Sequence, residues 1–252
     1  MSEQRKEKKS KSKAKRPWYK TIFSRDANIF VKMARVLVLA YAGITAVEAS
    51  LAHVVDGREL HQDEITALEK MGYEGTIDYK DVRIHVSDTS DKLLDMMEMD
   101  AATKGNLVLV HSRMYEENFT QAEPYDEGVF VHEIGHVWQY QNAVIWPGLH
   151  ALKDFFSRHA FDHDGTQAYA YDVEEGKDLL DYGLEQQPSI IADFYLHAKT
   201  GEFPAVVENA LLDLPEKERA QRRAELVEGY ESVLENFLKD PNYARYNAFK
   251  PW

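Results

Sequence analysis

Val131-His132-Glu133-Ile134-Gly135-His136-Val137-Trp138-Gln139 is the stretch that decides how this chain folds. It holds one H-E-x-x-H pattern. On a helix, residues four apart lie one above the other on the same face. His132 and His136 therefore aim two imidazoles at one point, and Glu133 sits one step around. Two neutral imidazoles, an open coordination position and an adjacent carboxylate are the parts with which a bound zinc activates water. The alternative is a core helix whose two histidines are merely hydrogen-bonded, and three buried polar groups would then all need partners.

The flanks support a buried helix. Val129, Phe130, Val131, Ile134, Val137 and Trp138 supply its apolar face. Asp126 is the expected N-cap, with Glu127 just inside the first turn. Upstream, residues 57–70 read as a turn and a helix ended by Gly72 and Gly75. Residues 79–86 and 106–111 read as strands, with a short Met-rich helix or loop over 88–100. Two or three strands before the metal helix predict an α+β domain, mainly helical, with a small sheet preceding the H-E-x-x-H helix. Downstream, an irregular aromatic- and His-rich connection over 142–165 leads to a second important helix at 184–199. Pro188 is tolerated in its first turn and Gly201 ends it. Two further helices are expected at 206–212 and 215–238, and the aromatic tail from Pro241 is expected to pack back on the body.

Composition narrows the chemistry. The chain has 252 residues, 44% of them hydrophobic, enough for one domain with extensions. It has no cysteine, which excludes disulfides and thiolate metal sites and leaves His, Asp and Glu as ligands. The net charge is −13, yet residues 1–25 hold ten Lys/Arg against two Glu. This basic arm reads as a solvated tail, or as a contact for an acidic surface or membrane face. It has no base-reading motif, so specific nucleic-acid binding is not expected. Residues 26–56 carry an apolar helix, predicted at 29–55. Its uncharged centre, Val36 to Val47, is too short to span a bilayer, so a packing or interfacial role is expected. Read from Met33 the stretch looks like a signal sequence with Val47-Glu48-Ala49 as its cleavage site; read from Met1 the charged lead is too long.

A catalytic zinc usually takes three protein ligands. A third histidine at position 142 is excluded by Asn142, and a Gly-Thr-x-Asp pattern fails at Ala168. The inverted H-x-x-E-H order is absent. What remains is a Glu from a downstream helix. Glu185 opens the apolar run Leu184-Glu185-Gln186-Gln187-Pro188-Ser189-Ile190-Ile191-Ala192-Asp193, where a charged residue needs a partner. Glu174 and Glu175 are its rivals, in a stretch that reads as an exposed turn. Asp193, eight residues on and close to the same face, is the residue expected to orient a ligand histidine through its distal ring nitrogen. For a donor that steadies a developing oxyanion, the candidates are Tyr169, Tyr171, Tyr182, His159 and His163, and Tyr171 is our choice. His159 and His163, with Asp162 and Asp164 nearby, also have the spacing of a separate metal site.

The stretch Val131 to Gln141, together with Tyr169-Ala170-Tyr171, Tyr182 to Tyr195, and upstream Asp63-Glu64-Ile65 and Ile77 to His85, resembles a bacterial family of Vgr-related zinc peptidases of the gluzincin type. The resemblance covers roughly 57–200. It implies a zincin-like catalytic domain, here 57–203; the C-terminal helical extension expected at 204–252 lies outside it. It implies one zinc ion held by His132, His136 and Glu185, with Glu133 as the catalytic carboxylate and a protein or peptide as substrate. It also implies a link to contractile injection systems, as cargo or component, and hence a bacterial cytoplasmic protein or one exported or injected into target cells. Where the family pattern carries an Asp four residues after the ligand Glu, this chain has Ser189. The competing expectation is a module in which metal only stabilises the fold of a secretion-system component, and Glu133 is the residue that separates the two.

Overall fold

Leu107-Val108-Leu109-Val110 forms the centre of the only sheet among the described residues, because its side chains are covered on both faces. The computed structural model describes residues 56–142, 144, 169–174 and 176–247, all within one compact unit running from Ala46 to Trp252. The basic arm, the 29–55 helix, Glu175 and the cluster at His159, Asp162, His163 and Asp164 lie outside the described residues.

The fold is α+β and mostly helical. Three short strands, β1 (Arg83–His85), β2 (Ala101–Lys104) and β3 (Leu107–Val110), are ordered β1-β3-β2. β1 runs parallel to β3, with Ile84 opposite Val108, and β2 runs antiparallel, with Lys104 opposite Leu107. Two differences from expectation have plain causes. Tyr79–Asp81 is a helical turn, so β1 is shorter than the predicted 79–86. β2 was not expected at all: Ala101-Ala102-Thr103-Lys104 has little strand character of its own. A two-residue turn with Gly105 at φ 63° folds it back onto β3.

Helix α1 (Gln62–Leu68) precedes β1, and helix α2 (Asp88–Met97) connects β1 to β2. α1 is anchored by a buried charge. Glu64 accepts hydrogen bonds from both Arg58 amino groups at 2.8 Å, from the His61 amide at 2.7 Å and from the Phe119 amide at 3.0 Å. A buried ion pair stabilises only when such extra bonds satisfy its remaining lone pairs, and here they do.

The site is built on two antiparallel helices, α3 (Pro124–Gln141) and α4 (Gln186–Thr200). α3 starts earlier than expected. Pro124 takes the first helical position, where its missing N–H costs nothing, and Asp126 lies inside the first turn and is not the cap. Contacts between α3 and α4 repeat along their length. Buried Glu127 accepts from Lys199 at 2.6 Å and from the Tyr195 hydroxyl at 2.6 Å. A Cβ placed on Gly128 would stand 2.7 Å from the Leu196 side chain, and one on Gly135 would stand 2.8 Å from Pro188. The two glycines are seven residues apart, so they share a face and let α4 approach closely along the whole contact.

Helix α5 (Ala205–Leu212), helix α6 (Glu216–Lys239) and the short α7 (Tyr243–Asn247) complete the chain. α6 looks solvated from its Glu and Arg content, yet Tyr230, Val233, Leu234 and Phe237 are buried. They follow the i, i+3, i+4, i+7 pattern of one helix face. Phe237 meets Tyr73 and Trp138 edge-on at 5.2 Å each, and Trp138 donates its indole N–H to the Pro241 carbonyl at 3.3 Å. The region after 203 is therefore packed into the same core as the H-E-x-x-H helix. The tail does return to the body: Ala244 is buried, Tyr243 donates to Asp178 at 2.9 Å and Arg245 to Asn142 at 2.7 Å, while residues 248–252 lie outside those described.

Candidate metal centre

His132 and His136 project from the α3 face that meets the start of α4. Their rings are 4.8 Å apart and nearly perpendicular. Glu185 caps α4 and reaches across: its Oε2 lies 3.4 Å from His132 Nε2 and 3.1 Å from His136 Nε2. The three ligand atoms all fall within 4.8 Å of one another. The structure thus brings together the two histidines and the downstream glutamate.

The far ring nitrogens determine what the near ones offer. Gln139 donates its amide N–H to the Leu184 carbonyl at 2.8 Å and to the Gln187 side-chain oxygen at 3.0 Å. Its oxygen therefore faces His136, and His136 Nδ1–H donates to it at 2.9 Å. Ser189 Oγ donates to the Glu185 carbonyl at 2.9 Å and lies 3.2 Å from His132 Nδ1. With its one proton committed to that carbonyl, the hydroxyl accepts from His132 Nδ1–H. Each Nδ1 thus keeps its proton, and Nε2 is the ring nitrogen turned toward Glu185, the one that would ligate a metal once free of a proton.

Glu133 is buried, and its Oε2 has no hydrogen-bond partner among the described residues. Such an oxygen costs free energy unless something absent from the protein itself meets it. Without metal, His136 and Glu185 share a proton across their 3.1 Å contact. Burial alone would lower the His136 pKa, but the hydrogen bond and charge of Glu185, with the charge of Glu133 and the Gln139 bond, push it up to about 9. Two imidazoles, a carboxylate and an orphaned carboxylate oxygen beside them form a donor set that suits zinc.

Two expected roles move to other residues. Asp193 does not reach a ligand histidine. Eight helical residues past Glu185 it lies about 12 Å further along the axis, and its carboxylate accepts a short hydrogen bond from the Tyr171 hydroxyl instead. Burial pushes Asp193 up to about 6, against the lowering effect of that hydroxyl. The histidine partners that sequence reasoning missed are Ser189 and Gln139. Their signals were local: Ser189 is four residues after Glu185 and Gln139 three after His136, each on its ligand's own face. Tyr171 is likewise not beside the histidines. Its hydroxyl lies between Asp193 and the Tyr230 hydroxyl, 2.8 Å from the latter. Tyr169 is the tyrosine at the cleft, with its ring centre 5.8 Å from that of His132. Tyr182 is turned away, its hydroxyl donating to the Asp172 carbonyl at 3.1 Å. Glu174 pairs with Lys177 on the surface and takes no part in the cluster.

Comparison with known proteins agrees with part of this picture. Residues 65–144 match the family described as the eCIS core domain. That span includes the H-E-x-x-H helix and stops short of Glu185. Over 140 residues, 56% of this chain, the sequence is 30% identical to the type VI secretion system spike protein VgrG2b of Pseudomonas aeruginosa. The chain spans only 13% of that protein's length. Among solved structures it is similar to the effector domain of Pseudomonas aeruginosa VgrG2b, with 25% identity, 65% of this chain and 89% of that one covered, and a TM-score of 0.49. The sequence is thus similar, over part of its length, to a type VI secretion system spike protein, which agrees with the Vgr side of the expected resemblance. No helix among the described residues is long and apolar enough to cross a membrane.

Proposed function

We propose that this chain is a zinc-dependent peptidase of the zincin type that acts as an effector of a contractile, type VI-like injection system. The observation that carries the chemistry is the convergence of His132, His136 and Glu185 beside the orphaned carboxylate oxygen of Glu133. The delivery half rests on the sequence similarity to the spike protein VgrG2b and on the eCIS core match. A protein or peptide substrate and a secretion-system partner follow from the same reading.

His132, His136 and Glu185 would hold the ion. When bound, zinc supplies Lewis acidity toward water and toward a substrate carbonyl. Glu133, screened from solvent, takes the proton from the attacking water and returns it to the leaving amine. Ser189 and Gln139 accept the Nδ1–H of the two imidazoles and so fix Nε2 as the nitrogen that would face the ion. Tyr169, beside His132, presents a phenol that can donate to the carbonyl oxygen as charge develops there. That role replaces the one expected of Tyr171.

The test is Glu133→Gln. Its side chain keeps the size and loses the base, so zinc content and unfolding midpoint stay at wild-type values. Cleavage of fluorescently labelled casein is expected to fall by about a hundredfold or more, the usual worth of a positioned base. Expression in a susceptible bacterium should slow growth for the wild type only. Zinc-loaded wild type with no cleavage of any protein in a whole-cell extract, and no Glu133-dependent growth defect, would favour the metal-stabilised structural module instead.

A further inference from the structure

Residues 169–174 form a strap that leads from His132 past α4 to α6, and nearly every one of them is fastened to something rigid. The Ala170 carbonyl accepts from Gln186 Nε2 at 2.5 Å, at the first residue of α4. The Tyr171 hydroxyl donates to Asp193, on α4. The Asp172 carbonyl and the Glu174 amide both bond the Tyr182 hydroxyl, at 3.1 and 2.9 Å. Val173 packs on α6 so closely that a Cβ on Gly229 would stand 2.8 Å from it. The first of these residues, Tyr169, has its ring against His132.

The middle fastening is unusual in chemistry. Asp193, Tyr171 and Tyr230 form a polar chain inside an aromatic cluster that also holds Tyr182, Phe194 and Phe203. A carboxylate only accepts, so the Tyr171 proton points to Asp193. The Tyr171 oxygen then accepts from the Tyr230 hydroxyl, 2.8 Å away. Each donor orients the next. Apolar side chains of similar size would pack here without the cost of burying a carboxylate. What the polar chain adds is direction: it fixes where the Tyr171 ring, and so the backbone two residues from Tyr169, must lie.

We infer that Asp193, Tyr171 and Tyr230 are positioning residues that act through Tyr169, and that helix α6 thereby sets the oxygen-binding side of the metal cleft. The inference rests on the metal-hydrolase reading above. It assigns a role to a helix that lies outside the matched eCIS core span.

The test uses acetohydroxamate, whose oxyanion chelates a metal and offers an acceptor to a neighbouring phenol. The full chain is loaded with cobalt(II), whose visible spectrum reports both metal and hydroxamate binding. Tyr169→Phe is expected to weaken acetohydroxamate binding about fivefold or more, the worth of one such hydrogen bond. Tyr230→Phe and Asp193→Asn should weaken it by a similar factor while cobalt affinity stays within about twofold of wild type. Gly229→Ala, which pushes on Val173 from the α6 side, should do the same without touching a phenol. The Tyr169→Phe/Tyr230→Phe double variant should bind no worse than Tyr169→Phe alone, because Tyr230 acts only through Tyr169. Additive losses, or full hydroxamate affinity in Tyr230→Phe, would overturn the anchor while leaving the metal site standing. Absence of any cobalt spectrum in the wild type would remove the metal reading, and the anchor with it.

Discussion

Gly135→Ala tests whether close approach of α3 and α4 is what assembles the metal site. The added Cβ would stand 2.8 Å from Pro188 Cβ, 3.1 Å from its Cα and 3.3 Å from its Cγ. Ordinary contact begins near 3.4 Å, and a proline ring with its own Cα cannot swing aside. α4 must therefore move off by about 0.6 Å, since a packed interior has no slack to absorb it. Ligand positions tolerate about 0.2 Å, and Glu185 rides at the very start of the displaced helix, three residues before Pro188. Overpacking of this kind costs about 1–3 kcal/mol. In the metal-free protein α4 relaxes outward and sheds that strain. Alanine also returns about 1 kcal/mol of helix propensity. Unfolding by urea should therefore change little. Zinc pulls Glu185 back and restores the clash, so its affinity should fall about 5- to 150-fold, the same strain read through binding. Gly128→Ala is the control. It meets Leu196 Cδ1 at 2.7 Å, but Cγ is already 3.7 Å away, so the leucine rotates and α4 stays put. Competition against a chromogenic zinc chelator measures both. Equal zinc affinity in Gly135→Ala and wild type, or an equal loss in both glycine variants, would refute the argument.

The histidine partners make a second prediction. Ser189→Ala and Gln139→Ala should each weaken zinc binding about ten- to a hundredfold, with Gln139→Ala the worse, because it also frees Leu184 and Gln187 beside Glu185; wild-type affinity in both would show that ring orientation is set elsewhere. Zinc binding should also depend on pH in a fixed sense. The raised His136 pKa means that its proton stabilises the metal-free fold fully below about pH 6.5 and that this is lost as pH rises through about 9. Zinc must displace that proton, so apparent affinity should climb about tenfold per pH unit from 7 and level off near 9. Calorimetry in buffers of different ionisation enthalpy should show about one proton released per zinc at pH 7.5, and no release would contradict the shared-proton picture.

Why some of this site could be read from residues alone, and some not, follows from distance along the chain. His132, Glu133 and His136 are legible because a single helix fixes their relation, and four residues are one turn. Glu185 is legible by elimination: a chain without cysteine has few donors, and this one opens an apolar helix. The partners of the ligands were misassigned where angle was weighed without rise. Asp193 shares a face with Glu185 on a helical wheel, but two turns of rise carry it to the other end of the contact, where Tyr171 meets it. Ser189, one turn away, does reach. The pair Tyr169 and Tyr171 shows a different difficulty. Nothing within Tyr-Ala-Tyr says which ring faces the histidines. That is decided by Tyr230, 59 residues further on.

The same reasoning explains β2 and α6. Ala101 to Lys104 becomes a strand because Gly105 turns it onto β3, not because its residues favour one. Once there, Thr103 donates its hydroxyl to the Glu133 carbonyl at 3.1 Å, tying the sheet to the residue that carries the base. α6 shows charge along most of its length and hides one apolar stripe. That stripe reaches Trp138, two residues past His136, and includes Tyr230, whose hydroxyl bonds Tyr171. One helix thus supports both the H-E-x-x-H helix and the segment that carries Tyr169. An H-E-x-x-H motif can place two ligands and a base on its own, since a helix supplies that geometry locally. It cannot place a third ligand or a carbonyl-facing phenol, because those depend on where other elements pack. In this chain that work falls to Gly135 against Pro188 and to Gly229 against Val173, two places where a missing side chain lets a second element come close enough to matter.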